Sequence, residues 1–334
     1  MKLIRLDSSQ VTAAAVAGRV LTHDIGHGLR KGTVLGPEHV EPLRDAPEVH
    51  LVELDEDDVH EDDAALRLGR AVAGSGIRVE GPNQSQVRLV AERRGLVRVN
   101  PTAVDRLNHL PAVGVFTLVD GQAVEAGEEV AGAKVTPVAV PGMLVREAER
   151  VAATARPVIR VDPFLPLRTL VVVTERLKPR ARELFAVAVT RKLGWYGSDV
   201  LAVREVARSG EAVRSAYEEA RALDARLILF AGASSIDPLD AAYAELVAAG
   251  GELLRQGAPA HPGSMLWLGR LDRAVVLGVA SCAGFGRDTS LDLVLPFVFA
   301  YGEADELDFA RLGYGGLIEA GAGRRFPPYP VAPA

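Results

Sequence analysis

The chain is 334 residues long, enough for two or three domains, and carries 44 Asp and Glu against 38 Lys and Arg, a net charge of −6. Its cations are scattered arginines, which argues against nucleic acid as a partner, because phosphate binding needs clustered Lys and Arg. The single cysteine, Cys282, permits no disulfide framework, the first residues hold no apolar signal core, and no run reaches the ~18 apolar residues of a membrane span, so a cytoplasmic protein without membrane contact is expected.

Residues 1–75 read as a small N-terminal α+β unit. A strand-like stretch around Arg19 to Thr22 leads through THDIGHGLRKG to the strand pattern VHLVEL. A helix is expected from about Asp62 to Ala73, with Ala65, Leu68, Gly69 and Val72 on one face and acids in its first turn. The acidic run Glu53 to Asp63 reads as a solvated loop and helix start. His23-Asp24 and His60 to Asp63 supply ligand types without ligand spacing, so no metal is assigned to them.

Residues 76–142 read as a small all-β module, in which VRLVAE, GLVRV, VGVFTLV and KVTPVAV alternate with turn signals. The stretch VDGQAVEAGEEVAGAKV resembles the half-motif of biotinyl/lipoyl-type barrel-sandwich modules, but its turn reads Asp120-Gly121-Gln122 without a carrier lysine. Lys134 falls in the following strand and reads as an ordinary strand residue. Residues 143–166 form a linker: a helix from Met143 to Ala155, then the prolines of ARPVIRVDPFLPLR.

From Leu167 strands and helices alternate, and residues 167–310 are expected to form an α/β domain built on a doubly wound, mostly parallel sheet. TLVVVT is a continuous apolar run, as in a parallel strand covered on both faces. The following helix groups Leu184, Phe185 and Ala188; DVLAVREV is the second strand; Val213, Ala216, Tyr217, Ala220 and Leu223 stripe the next helix. ARLILFAG is the third strand, and Leu239, Ala242, Tyr243, Leu246 and Val247 mark the helix after it. GELLRQG and AVVLGVA are later strands, with a turn at Gly269, and Leu291, Val294, Leu295 and Val298 line the last long helix. Residues 311–334 are a C-terminal tail.

Ligands of open parallel sheets sit beyond the carboxyl ends of the strands, where this chain has three turns rich in small residues. The first runs Gly232-Ala233-Ser234-Ser235-Ile236-Asp237-Pro238-Leu239-Asp240. Its serines and exposed N–H groups suit an anion, while Asp237 before Pro238 also reads as an N-cap with Pro at the first helical position and Asp240 at the third. The second holds Pro262, Gly263, Ser264 and Met265. The third holds Ser281, Cys282 and Arg287; Arg287 could pair with a phosphate, and Cys282 reads as a small filler.

Taken together, FAGASSIDPLDAAYAELVAAGGELL, APAHPGSMLWLG and VVLGVASCAGFGRD resemble the molybdopterin-binding domain shared by molybdopterin adenylyltransferases, molybdopterin molybdotransferases and related binding proteins. The resemblance is nearest to the molybdopterin-binding part of fused molybdenum-cofactor nucleotidyltransferases, and LTHDI, DVHEDDAA, GLVRVNPTAVDRLN, VAGAKVTPVAVP and LGYGGLIE extend it along the chain. It implies a cofactor-binding set of Gly232, Ala233, Ser234, Ser235, Asp237, Asp240, Pro262, Gly263, Ser264, Ser281, Cys282 and Arg287. Gly232, Ser235 and Asp240 match the transferase pattern G-G-x-S-x-G-x-x-D, and Asp237 replaces a glycine of that pattern. Ser264 replaces the Lys or Asn after Pro-Gly in the second turn, and the third turn lacks its Pro-Gly pair.

The resemblance implies a protein that binds molybdopterin or the molybdenum cofactor in its biosynthesis, maturation or delivery. One alternative is an adenylyl- or molybdotransferase, with Asp240 catalytic and Mg2+ held through Asp240 and Asp237; the motif departures favour binding without catalysis. Another is a scaffold that docks a molybdenum-cofactor nucleotidyltransferase or a molybdoenzyme. Relatives of the domain commonly assemble as homo-oligomers, which is the expectation here.

Overall fold

The structure, a computed structural model, describes residues 1–26, 28–233, 236–280, 283, 288–304 and 307–318. The chain divides into two compact units, Met1–Pro163 and Phe164–Ala334. Both are mixed α/β. Among the described residues no helix is long and apolar enough to cross a membrane.

The first unit runs β1 (Lys2–Asp7), α1 (Ala13–Val16), β2 (Val20–Leu21), α2 (Val40–Arg44), β3 (Glu48–Glu53), β4 (Asp58–His60) and α3 (Glu61–Val72). It continues with β5 (Ile77–Asn83), β6 (Gln86–Ala91), β7 (Gly95–Val99), α4 (Pro101–Asn108), β8 (Val113–Thr117), β9 (Ala123–Val124), β10 (Glu129–Val135), β11 (Ala139–Pro141), α5 (Gly142–Thr154) and β12 (Ile159–Pro163). Its sheets are ordered β1-β3-β2, β5-β6-β10-β8, β11-β4 and β12-β7-β9. Lys134 lies within β10, paired with Gln86 and Gly114.

Two sequence expectations change here. The stretch 76–142 is not all-β: Asn100 caps α4 through Ala103 N–H at 3.1 Å, and Pro101 takes its first position. The boundary drawn at 75/76 also crosses a single core, since Leu68 and Val72 of α3, Val87 and Leu89 of β6 and Val151 of α5 pack in one cluster. Helix α5 is therefore a core element and not a bare linker.

The second unit comprises β13 (Arg168–Val173), α6 (Pro179–Trp195), β14 (Asp199–Glu205), α7 (Gly210–Ala222), β15 (Leu227–Ala231), α8 (Ala241–Ala248), β16 (Glu252–Gln256), β17 (Trp267–Leu271), β18 (Ala274–Val279) and α9 (Ser290–Tyr301). One six-stranded sheet has the order β14-β13-β15-β18-β17-β16. The first four of these run parallel, and β17 and β16 are antiparallel to their neighbours. Side chains alternate between two cores. Leu170, Val172, Ile228 and Phe230 pack with α7 and α8, whereas Val171, Val173, Leu229 and Leu277 pack with α6 and α9. Central strands covered on both faces explain the unbroken apolar runs in the sequence.

Three details of the sequence reading are corrected. In α6 the buried stripe is Phe185, Val189 and Leu193, and Leu184 is exposed. Helix α8 starts at Ala241, so Leu239 lies before it and is exposed, as is Val247. Gly269 is no turn residue. It sits inside β17, opposite Leu253 and Val276, where an added Cβ would meet Leu246 at 2.6 Å.

Candidate functional site at the strand ends

Parallel strands put their carboxyl ends on one side of the sheet. Ala231 of β15 pairs with both Val173 of β13 and Val279 of β18, so all three strands end level. Strand β17 runs the other way, and its first residue, Trp267, faces Gly278 near the end of β18. The first, second and third turns therefore leave the same edge of one sheet.

Hydrogen bonds tie these turns together. Gly232 N–H donates to Val279 O at 2.8 Å, fixing the start of the first turn against the third. Gly232 has φ +94°, and a Cβ there would lie 2.9 Å from Glu175 Cβ, so glycine answers both to its backbone and to the neighbouring loop. The Trp267 indole N–H donates to Ala233 O at 3.0 Å. The second turn meets the start of α9: Ser290 N–H donates to Pro262 O at 2.9 Å and its hydroxyl to Gly263 O at 2.6 Å. Gly263 has φ +107°, and a Cβ would sit 2.4 Å from Ser290 Oγ. Ser264 O accepts from Ala258 N–H at 2.9 Å and closes the turn, leaving the Ser264 residue exposed. From behind, His261 N–H donates to Gly316 O and Ile318 N–H to His261 O, which places residues 316–318 against the second turn.

The acids of the first turn have distinct surroundings. Asp240 caps α8 by accepting from Ala242 N–H at 2.9 Å with Oδ1, while Oδ2 receives the Arg208 guanidinium, Nε at 3.1 Å. The side chain of Asp240 is only 1% exposed. The pair holds the Arg208 guanidinium above its ordinary pKa, chiefly through the hydrogen bond. Asp237 is exposed and accepts from Leu239 N–H at 2.9 Å. The cap therefore sits three residues later than the Asp237-Pro238 pattern suggests, because residues 236–239 form a separate turn before the helix.

On the third turn, Thr289 and Asp292 form a capping box at α9, with Thr289 N–H donating to Asp292 Oδ2 at 2.8 Å. Lys192 of α6 reaches beneath this turn, 3.3 Å from Ala283 O and 2.6 Å from Asp292 Oδ1. Ser234, Ser235, Ser281, Cys282 and Arg287 of the expected set lie outside the described residues.

Arg208, Trp267, Lys192 and Tyr243 were not marked as site residues by the sequence. Arg208 follows β14 with no motif around it, Trp267 follows the second turn without an assigned role, and Tyr243 reads as part of a helix's apolar stripe. The one available signal was Gly278, whose absent side chain leaves room for the indole: a Cβ there would be 1.7 Å from Trp267 Nε1. Larger cavities among the described residues lie elsewhere. One of about 420 Å3, lined by apolar residues such as Pro111, Val140 and Met143, is in the first unit; another of about 290 Å3 is at the opposite end of the second unit's sheet, beside Asp224 and Arg273.

No family model and no curated protein matches this chain. Solved structures that it is similar to include a molybdopterin biosynthesis protein from Mycobacterium abscessus, 15% identical, with a TM-score of 0.28 over 40% of this chain and 96% of that one. The molybdopterin biosynthesis Mog protein from Mycobacterium ulcerans is 16% identical, with a TM-score of 0.29 over 40% and 95%. The molybdopterin biosynthesis MoeA protein from Pyrococcus horikosii is 12% identical, with a TM-score of 0.30 over 92% and 76%. Likenesses this slight carry no argument about function.

Proposed function

We propose that the second unit binds molybdopterin or the molybdenum cofactor across the carboxyl ends of β15 and β18 and the start of β17, and that the protein serves the cofactor's biosynthesis, maturation or delivery. The observation that carries this reading is the joining of the three turns: Gly232 to Val279, Trp267 to Ala233, and Ser290 to Pro262 and Gly263. These are the segments whose sequence resembles a molybdopterin-binding domain, and glycines at two of them let a ligand approach the backbone closely. Delivery implies a receiving protein, for which a molybdenum-cofactor nucleotidyltransferase or a molybdoenzyme is the matching class.

Binding without catalysis is favoured over Mg2+-dependent transfer. Both carboxylate oxygens of Asp240 are engaged, one by the helix cap and one by Arg208. Mg2+ needs open carboxylate oxygens beside the substrate phosphate, so Asp240 as placed does not fit it. Asp237 is the exposed carboxylate that remains.

Anaerobic titration of the purified protein with molybdopterin tests the reading. Saturable binding with a Kd in the micromolar range or tighter, about −8 kcal/mol, is expected. A flat titration defeats it. Addition of ATP and Mg2+ should release no pyrophosphate.

A further inference from the structure

One buried polar atom near the first turn is unused. Tyr243 is 4% exposed, and its hydroxyl is the buried side-chain polar atom without a hydrogen-bond partner among the described residues. Native proteins pair nearly all such groups, because an unpaired one forfeits its hydration for nothing. Tyr217 on α7 shows the ordinary solution: it is just as buried and donates to Ala242 O at 2.8 Å.

Position says where the Tyr243 hydroxyl is directed. Tyr243 lies in the first turn of α8, and long helical side chains slope toward their helix's N-terminus, here the end beside the strand carboxyl ends. Its ring rests on the Trp267 indole, centroids 4.9 Å apart, and that indole holds Ala233 O. The phenol thus stands under the first turn, within electrostatic reach of Asp240 and Asp237. Burial first, then these two charges, push its pKa up, so the hydroxyl stays a donor.

Asp237 is exposed and forms no ion pair with another described residue, so its carboxylate is open to a ligand's N–H donor.

Resting on the function proposed above, we propose that Tyr243 is a ligand-binding residue whose hydroxyl hydrogen-bonds the ring end of the pterin at the first turn. The ring edge of a pterin supplies both an oxo acceptor for a phenol and N–H donors for a carboxylate, the pairing that Tyr243 and Asp237 offer. The Tyr243 hydroxyl, buried and without a partner among the described residues, then gains one.

Tyr243→Phe tests it, because the signs of its two effects oppose. Without ligand the substitution removes an unsatisfied hydroxyl, so Tm should stay level or rise. Molybdopterin affinity should fall about three- to tenfold, the worth of one hydrogen bond, in anaerobic titration. Neopterin, which has the ring and no phosphate, should weaken by the same factor as a competitor, and inorganic phosphate should not. A variant that lowers Tm and affinity together marks a packing role and overturns the inference. Equal binding by wild type and variant overturns it while the function stands. Weakening confined to phosphate puts the hydroxyl at the phosphate end of the ligand and overturns it as well. No molybdopterin binding by wild type removes the function and this inference together.

Discussion

Gly278→Ala probes the joint that holds the first turn. The new Cβ would lie 1.7 Å from Trp267 Nε1 and 1.9 Å from Cε2. Ordinary carbon contacts need ~3.5 Å, so the indole must retreat by ~2 Å. It has no room, being fully buried with Tyr243 at 4.9 Å on one side and Phe230 at 6.4 Å on another. Overpacking of this kind costs about 1–3 kcal/mol, and losing the bond to Ala233 O adds about 1 kcal/mol. Relief of glycine's backbone entropy returns about 0.5 kcal/mol. The net loss is therefore about 1.5–3.5 kcal/mol. Urea unfolding followed by tryptophan fluorescence measures it cleanly, because the chain's two tryptophans, Trp195 and Trp267, both lie in the second unit. Gly194→Ala is the control: a Cβ there meets nothing within 4 Å inside α6, and stability should rise by about 0.5–1 kcal/mol. A Gly278→Ala loss below about 0.5 kcal/mol, with the indole emission unmoved, refutes the claim that Trp267 pins Ala233.

Further outcomes follow from other contacts. Gly263→Ala must disturb the Ser290 bonds to the second turn, so molybdopterin affinity should fall about tenfold or more in the same titration, ~1.4 kcal/mol, with α-helical circular dichroism retained. Asp240→Asn keeps an N-cap but loses the charge facing Arg208; since that guanidinium is half exposed, the cost by urea unfolding should be about 1 kcal/mol, and a larger loss would point to a buried network not seen here. In the first unit the Arg67 guanidinium, 2.8 and 2.9 Å from Glu149, holds that carboxyl below its ordinary value of 4.5. The pair's contribution is thus present above pH 4.5 and lost as pH falls through the lower folded value. Glu149→Gln should remove about 0.5 kcal/mol at pH 7 and flatten the acid limb of a stability–pH curve; an unchanged limb counts against the pair.

The repeating parts of the fold were plain in the sequence. The apolar stripes of α7 and α9 and the continuous run of β13 reflect periodic burial, and each is found where its period places it. Helix α4 was legible in Asn100-Pro101 but masked by strand-like neighbours. Strand β17 was hidden by Gly269, whose glycine serves a close approach and not a turn. The three small-residue turns could be assigned to strand ends from pattern alone, since strand direction settles which end a loop leaves. What joins them could not, because Trp267 with Ala233, Arg208 with Asp240 and Lys192 with Ala283 are contacts between residues 32 to 91 positions apart.

Hydrogen exchange of backbone amides, measured with and without molybdopterin under anaerobic conditions, asks most directly whether the three turns act as one site. The account requires simultaneous slowing at residues 232–240, 261–266 and 288–290, with the first unit unchanged. Slowing at only one turn, or confined to the first unit, contradicts it.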